Sequence, residues 1–357
     1  MRERIGSSKF GQWVSEHSFL RFVVTRFLLI IPTLFILVSV VFFIMRLTGD
    51  PITATMGGKL PQTQIDKLIH DAGYDRPIFV QYFEYLGQLF SGDLGKSVKL
   101  NMPVTELILT YGTATVELAV LALIVAFAVG IPLGKLAAKY RDKWQDVTVR
   151  LFSIFCYAMP VFFLGLLLKL IFTVQLGLLP SSGRVSSNLQ SQLSNVDFPT
   201  GFYVIDSLQT GDPEVIGDVF AHAILPAVAL GLLTAATFIR LIRTNLISTL
   251  STDYIFAART RGVSEKRILN KHAFKPALIP IITVMGMQIA LMLAGAVLTE
   301  TTFEWKGLGY QLSELLKARD FMAVQGIVIF IAIVVSVANF IVDVLAAYID
   351  PRVRYGK

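Results

Sequence analysis

The pattern closest to a ligand-binding motif is a glycine-rich turn at residues 92–97, Gly-Asp-Leu-Gly-Lys-Ser. A phosphate-binding loop of the Walker type needs another glycine five residues before the glycine of its Gly-Lys-Ser group. That position holds Phe90, so the motif is incomplete. The sequence therefore predicts a structural turn here, and no nucleotide or other cofactor bound by this chain.

Catalytic patterns are missing elsewhere as well. The four histidines, His17, His70, His222 and His272, are scattered, with neither an HExxH nor a GxSxG pattern. The single cysteine, Cys156, excludes a disulfide within the chain and disfavours a cysteine metal site. We predict no catalytic residue and no metal ligand, and an intramembrane enzyme is disfavoured.

Among the ionisable residues inside long apolar runs, three are singled out as candidates, namely Glu117, Lys169 and Asp343. Such residues are functional candidates because burial of a charge in lipid is costly. Hydration near helix ends, or snorkelling by Lys169, is the alternative explanation. We predict that Glu117, together with Gln288 and Glu300, lies along a substrate pathway. A proton-coupled secondary transporter should carry coupling carboxylates or broken helices near mid-membrane, and the sequence shows neither clearly.

Residues 253–280 read DYIFAARTRGVSEKRILNKHAFKPALIP and combine basic residues with a core of small ones. The basic residues are Arg259, Arg261, Lys266, Arg267, Lys271 and Lys275. A loop that only fixes membrane topology needs these charges but does not need Ala257, Ala258 and Gly262. The small residues therefore favour a second role, in which a nearly bare helix edge inserts into a groove of another protein.

The local pattern of this segment predicts two short helices joined by a tight turn. We expect Asp253 to cap a helix over 254–261, and Gly262 to end it in the left-handed conformation. Ser264 should cap a second helix over 265–274, and Pro276 should close the segment.

The elements that carry these residues are membrane spans. Hydrophobic residues make up 54% of the 357 residues and charged residues 16%, which is too apolar for a soluble domain. The net charge of +7 falls in blocks between apolar runs, which argues against a nucleic-acid partner.

Six runs can cross a bilayer as helices, about 22–47, 112–138, 149–175, 220–243, 277–299 and 325–348. We expect the first run to be a retained span and not a cleaved signal peptide.

The distribution of Lys and Arg predicts the orientation. The flanks at 1–21, 135–150, 240–275 and 350–357 hold more than twice as many of these residues as the opposite set of loops. The positive-inside rule therefore places both termini and the 253–276 segment in the cytoplasm.

Small residues recur four apart in three of the spans. They are Ala122, Ala126, Gly130 and Gly134 in the second, Ala227, Gly231 and Ala235 in the fourth, and Gly286, Ala290 and Ala294 in the fifth. Such stripes allow close helix contact in membranes. They indicate either packing within one bundle or contact with a second subunit.

Two extracytoplasmic regions remain. Residues 48–111 contain turn motifs and a helical stretch at 61–68, which predicts an ordered element. Residues 181–218 are rich in Ser, Gln, Asn, Asp and Gly, which predicts a long, partly irregular loop.

Taken together, these blocks resemble a known family. The segments HAILPAVALG, AARTRGVSEKRILNKHAFKPALIPIITVMG, VLTETTFEWKGLG, RDFMAVQG and AAYIDPRVRY match, in order, the B-type permeases of dipeptide, oligopeptide and nickel ABC importers. DRPIFVQYFEYLGQLFSGDLGKSV, TATVELAVLAL, AMPVFFLG and LGLLPSSGR extend the resemblance to roughly residues 20–357.

The chain departs from the family pattern at four places. Phe256 occupies the nominal Glu position of the coupling loop, and Lys306 stands where proline is usual. Residues 185–217 look like an enlarged outer loop, and residues 1–18 like an added extension.

The resemblance implies an all-α integral membrane protein with the type I ABC importer permease fold and six transmembrane helices. It implies a cytoplasmic extension (1–21), a first span (22–47), an ordered outer segment (48–111), a permease core (112–348) with the coupling element at 253–276, and a cytoplasmic tail (349–357). The residues it assigns to ATPase contact are Ala257, Ala258, Arg259, Arg261, Gly262, Val263 and Ser264.

The partners implied are a second, C-type permease, two ATPases that bind ATP and Mg, an extracytoplasmic solute-binding protein, and the cell membrane of a prokaryote. The expected function is transport of di- or oligopeptides, without enzymatic activity in this chain. Nickel or another small solute is the alternative substrate.

Overall fold

The structure is a computed structural model that describes residues 18–47, 49–56, 58, 60–71 and 73–349. Over these ranges the chain is helical, and its one extended pairing is an isolated bridge between Lys96 and Pro103. The predicted N-terminal extension and C-terminal tail lie outside the described residues at 1–17 and 350–357. The α-helices are α1 (Ser18–Leu47), α2 (Pro51–Met56), α3 (Gln62–Asp71), α4 (Ile78–Phe90), α5 (Val104–Lys139), α6 (Trp144–Ala158), α7 (Val161–Leu168), α8 (Gln190–Ser194), α9 (Tyr203–Thr210), α10 (Pro213–Leu250), α11 (Asp253–Thr260), α12 (Glu265–Arg267), α13 (Phe274–Phe303), α14 (Leu308–Lys317) and α15 (Phe321–Ile349). Two π-helical segments, Lys169–Gln175 and Ile268–Ala273, continue α7 and α12.

Among the described residues, five helices could each cross a membrane, and a sixth crossing is present if one bent pair counts as a span. The helices α1, α5, α10, α13 and α15 contain stretches long and apolar enough to cross a membrane. α6 and the helix formed by α7 with its π-helical continuation pass the same test together, but they are bent by 107°. The prediction of six membrane crossings is confirmed, and the expectation of a continuous third helix over 149–175 is wrong.

The break in the third span has a local cause. Met159 adopts an extended backbone (φ −81°, ψ 132°), and Pro160 stands at the N-cap of α7. A residue that precedes proline disfavours the α conformation, and proline fits well at the start of a helix. The dipeptide therefore ends one helix and begins the next.

The centre of the bundle is the contact between α5 and α10, where two of the small-residue stripes face each other. A Cβ atom on Gly231 would lie 2.6 Å from the Ala122 carbonyl oxygen. A Cβ atom on Gly130 would lie 2.9 Å from the Cβ of Phe238 on α10. Gly286 of the fifth span approaches α15 in the same way, through Asn339. At these positions the stripes serve packing within the chain.

The outer segment before α5 is ordered, as predicted, and contains α2, α3 and α4. The second span starts at Val104, so the last residues of the predicted segment 48–111 belong to α5. Asp320, which is fully buried, accepts hydrogen bonds from Ser97 Oγ (2.7 Å) and Lys99 N (2.9 Å). The glycine-rich turn that ends in Gly-Lys-Ser thus connects the outer segment to the start of α15.

The loop over 181–218 is also partly helical, since it contains α8 and α9. Leu189, Leu193, Val215 and Val219 form a small apolar cluster beneath it. The buried Asp206 accepts hydrogen bonds from Thr200 and from Gly201 N. These contacts hold the loop against the start of α10.

Candidate functional site

The predicted coupling element is a helix, a turn and a second helical stretch between α10 and α13. Gly262 has φ +76° and lies in the left-handed conformation, as predicted. Its N–H donates to the Arg259 carbonyl (2.9 Å), and Val263 N donates to the Ala258 carbonyl (3.1 Å). These bonds close the end of α11 in the manner of a glycine-terminated helix.

The capping prediction is wrong for Asp253 and is correct in position for Ser264. Thr252 occupies the N-cap of α11, and Asp253 is its first residue. An acidic residue in the first turn still favours the helix through its dipole. Ser264 stands at the N-cap of α12, although its side chain makes no capping hydrogen bond.

The second half of the element differs more from the prediction. It is not one helix over 265–274 closed at Pro276. α12 passes into the π-helical segment Ile268–Ala273, which runs directly into α13, and Pro276 lies in the first turn of α13. The π-helical segment lies just before Pro276, which has no backbone N–H to donate to the hydrogen bonds of the helix. The element is therefore continuous with the fifth span, so that a displacement of one moves the other.

One face of the element is anchored and the other is free. Ile255 and Ile268 are fully buried and pack with Leu246 at the end of α10. Ala257 and Gly262 are exposed, and a Cβ atom on Gly262 would meet no atom within 4 Å. Ala258 is half-buried at the edge of the apolar cluster. The small residues thus form a bare edge on a rigidly held support.

The two arginines next to this edge, Arg259 and Arg261, differ in their contacts. Arg259 Nε donates to Glu265 Oε1 at 2.7 Å, across the turn. This hydrogen bond holds the pKa of the Glu265 carboxyl below its usual range and raises the pKa of the Arg259 guanidinium. Arg261 is exposed. Arg259 therefore braces the turn.

Behind the element, a buried ion pair fixes α6 to α10. Arg243 donates to both carboxylate oxygens of Asp146, from Nε at 2.6 Å and from Nη2 at 2.7 Å. Asp146 is fully buried and also accepts from Asp142 N (3.0 Å). The pair lies one turn before Leu246, at the base of the coupling element. Sequence reasoning missed both residues, because Arg243 was counted among the flanking basic residues and no local pattern singled out Asp146.

Two of the three residues predicted to lie along the pathway are buried and engaged within the chain. Glu117 is ion-paired with Arg184 and accepts from Val204 N at 2.7 Å. Glu300 accepts from Thr115 Oγ1 (2.7 Å) and from Tyr310 N (2.8 Å), close to the start of α14. Both carboxylates tie spans to the outer loops.

The other two ionisable residues predicted inside spans are also accounted for. Lys169 Nζ donates to the Thr302 carbonyl at 3.0 Å. Asp343 lies 3.5 Å from Arg26 Nε and joins α15 to α1. Each contact fastens one crossing to another.

The third predicted pathway residue, Gln288, lines a cavity of about 490 Å³ between α10 and α13. Tyr157, one residue before the end of α6, lines this cavity, and Arg240 of α10 lies on its wall. One feature of the sequence could have indicated this site. Two arginines, Arg240 and Arg243, lie three residues apart at the end of an apolar run.

The fold is a bundle of long apolar helices with one bent crossing and a helical element between α10 and α13. It is similar to a chain of the MetNI methionine ABC transporter solved in inward-facing conformations, with a TM-score of 0.51, 14% identity, and coverage of 69% of this chain and 98% of that one. At this identity the similarity concerns the fold alone.

Sequence comparison gives the family. Residues 130–355 match the family described as "Binding-protein-dependent transport system inner membrane component", and residues 19–122 match its N-terminal companion. The chain belongs to this family of inner membrane components. It is therefore an ABC importer permease subunit and a multi-pass inner membrane protein, and the resemblance read from the sequence is confirmed.

Relatives match over nearly the whole chain. The dipeptide transport system permease protein DppB of Escherichia coli (strain K12) is 38% identical over 341 residues, which is 95% of this chain and 100% of that protein. The di/tripeptide transport system permease protein DppB of Pseudomonas aeruginosa (strain UCBPP-PA14) is 37% identical, with coverage of 95% and 100%. The glutathione transport system permease protein GsiC of Escherichia coli O6:H1 is 32% identical, with coverage of 94% and 99%.

Proposed function

We propose that this chain forms, with a second and homologous C-type permease, the translocation pathway of an ATP-driven importer of di- and oligopeptides. The observation that carries the proposal is identity of 37–38% over 95% of the chain to permeases named for dipeptide and di/tripeptide transport. A relative named for transport of glutathione, itself a small peptide, points to the same substrate class. These relatives favour peptides over nickel.

The energy comes from partner proteins. Two cytoplasmic ATPases bind ATP and Mg and close on one another, while this chain binds neither. The bare edge at Ala257, Ala258 and Gly262 docks in a groove of one ATPase, with Arg261, Val263 and Ser264 around it and Arg259 bracing the turn. Because Ile255 and Ile268 hold the element against α10, and because it continues into α13, ATPase closure becomes a rocking of both helices.

The orientation follows from charge. Both termini and the coupling element face the cytoplasm, where most of the Lys and Arg residues outside the spans are found. The outer segment at 48–110 and the tip at 301–319 then face the opposite side. Asp320 and Ser97 hold these two parts together. They form either the surface that receives the solute-binding protein or a cap over the pathway.

The test is uptake by the purified complex in proteoliposomes with ATP inside and peptide-loaded binding protein outside. We expect accumulation of a labelled dipeptide that needs both ATP and the binding protein. Accumulation driven by an imposed proton gradient without ATP would identify a secondary transporter. Uptake of nickel ions, and not of peptide, would identify the alternative substrate.

A further inference from the structure

An ionisable residue that the proposed coupling does not use lies on α10. Arg240 is exposed on the wall of the 490 Å³ cavity, with its guanidinium carbon 4.7 Å from the centre of the Tyr157 ring. The cavity adjoins the point where the third span is broken, after Ala158. A charged side chain within a membrane-spanning helix is costly, and one that faces a cavity is a candidate for substrate contact.

Arg240 differs from its neighbours in having no carboxylate partner among the described residues. One turn further along α10, Arg243 is held by both oxygens of Asp146. Arg150 lies 3.8 Å from the same carboxylate. The guanidinium of Arg240 touches an aromatic ring and presents its N–H donors to the cavity, where a planar carboxylate can accept two parallel hydrogen bonds.

The rest of the cavity wall suits a short peptide. Thr234, Thr237 and Gln288 offer hydroxyl and amide groups that can bond to a peptide backbone. Met287 and Met292 provide a soft apolar surface that adapts to different side chains. The volume falls within the range of about 300–1,000 Å³ that is typical of small-molecule sites. This chain contributes one cation and no acidic residue to the wall.

We propose that Arg240 binds the free C-terminal carboxylate of the peptide in transit, at the cavity formed by α10, α13 and the end of α6. The proposal rests on the proposed function and adds to it a substrate group and a contact residue. Gln288 and Thr237 then contact the peptide backbone, while the methionines accept varied side chains.

The test compares a dipeptide with a free carboxylate and the same dipeptide with a C-terminal amide, in the reconstituted complex. The ratio of uptake of the acid to uptake of the amide is measured for the wild type and for Arg240→Gln. Because the same binding protein serves both complexes, its own preference cancels when the two ratios are compared. We expect the acid-to-amide ratio to fall about tenfold in the variant, which is the effect of losing one charge-assisted contact. Arg150→Gln, on α6 and outside this cavity, should leave the ratio unchanged.

An unchanged ratio in a variant complex that transports would overturn the proposal. An equal loss of uptake for the acid and the amide would also overturn the proposal, because it would show a structural role for Arg240. A defect that disappears in vesicles of phosphatidylcholine alone would assign the residue to an anionic lipid. If Arg240→Gln does not assemble, Thr237→Glu is the second variant. It places a carboxylate one turn from Arg240, and the acid-to-amide uptake ratio of this variant must also fall below that of the wild type. A wild-type complex without ATP-dependent peptide uptake would instead contradict the proposed function.

Discussion

Glu300 illustrates how a carboxylate inside a span is stabilised. It is fully buried, and its oxygens accept from Thr115 on α5 and from the backbone at the start of α14. Gly307 makes room for it, because a Cβ atom there would lie 2.5 Å from Glu300 Oε1. A group with its acceptors occupied in this way positions the start of α14 relative to α5.

Replacing Glu300 with glutamine tests this role. The amide nitrogen would face N–H and O–H donors, so at least one donor loses its acceptor. We expect the free energy of unfolding to fall by about 1–3 kcal/mol. The measurement is thermal unfolding of the purified complex in detergent. Glu304→Gln, an exposed neighbour, should change stability very little. Unaltered stability in Glu300→Gln, combined with altered peptide selectivity, would return Glu300 to the substrate pathway.

At the residue scale, the sequence was informative where a residue type determines its own conformation. Gly262 was predicted to be left-handed because glycine adopts positive φ without steric cost, and the structure has φ +76° there. The partners of Glu117 and Glu300 could not be predicted, because they lie far away in the chain and meet only once the helices pack. Arg240 was hidden by its position at the end of an apolar run, where positive charges usually mark topology.

At the element scale, the joint between α6 and α10 supports the coupling element. The carboxylate of Asp146 is fully buried, while its partner Arg243 is 19% exposed. Removal of one member of such a pair leaves the other without its counter-ion, which costs far more than the pair itself contributes.

We expect Asp146→Asn to destabilise the complex by about 3 kcal/mol, whereas the double variant Asp146→Asn with Arg243→Gln loses less than the sum of the single changes. Asp142→Asn is the control, since Asp142 is 72% exposed and its pair with Arg141 is a surface pair of little energetic value. Thermal unfolding of all four proteins measures these differences. Simple additivity of the two single changes would show that the pair does not act as a unit.

The broken third span shows which part of an element can be predicted from its sequence. Length and composition predicted a crossing over 149–175, and these properties do not distinguish a straight helix from a bent one. Met159 and Pro160 were the local signal, but proline can also kink a helix that continues. After the break, α7 packs closely on α13, since a Cβ atom on Gly165 would lie 2.9 Å from the Phe303 ring, and this long-range contact could not be predicted from the local sequence.

At the scale of the whole molecule, the chain is a bundle with a packed helical element between α10 and α13 and with loops that are joined by buried hydrogen bonds. The spans were predictable because lipid demands long apolar helices. The order of contacts among them, and the way in which the 181–218 loop is held by Glu117 and Arg184, depend on tertiary packing that no local pattern encodes. The permease fold itself was predicted from the family resemblance, since the family's motifs occur in order along almost the entire chain.

In the proposed mechanism, the bare edge at Ala257, Ala258 and Gly262 transmits ATPase movement to α10 and α13. Ala258→Asp places an unpaired charge at that edge, and Gly262→Val adds a branched side chain at a left-handed position. Asn270→Asp adds the same charge as Ala258→Asp at an exposed position of the element, next to Lys135.

The most direct measurement is ATP-driven peptide uptake by these three variants in proteoliposomes, with ATP hydrolysis recorded in parallel. Ala258→Asp and Gly262→Val should insert in the membrane but transport at about a tenth of the wild-type rate or less, with hydrolysis no longer coupled to peptide delivery. Asn270→Asp should transport normally. Wild-type uptake by Ala258→Asp or Gly262→Val would contradict the coupling role of this element.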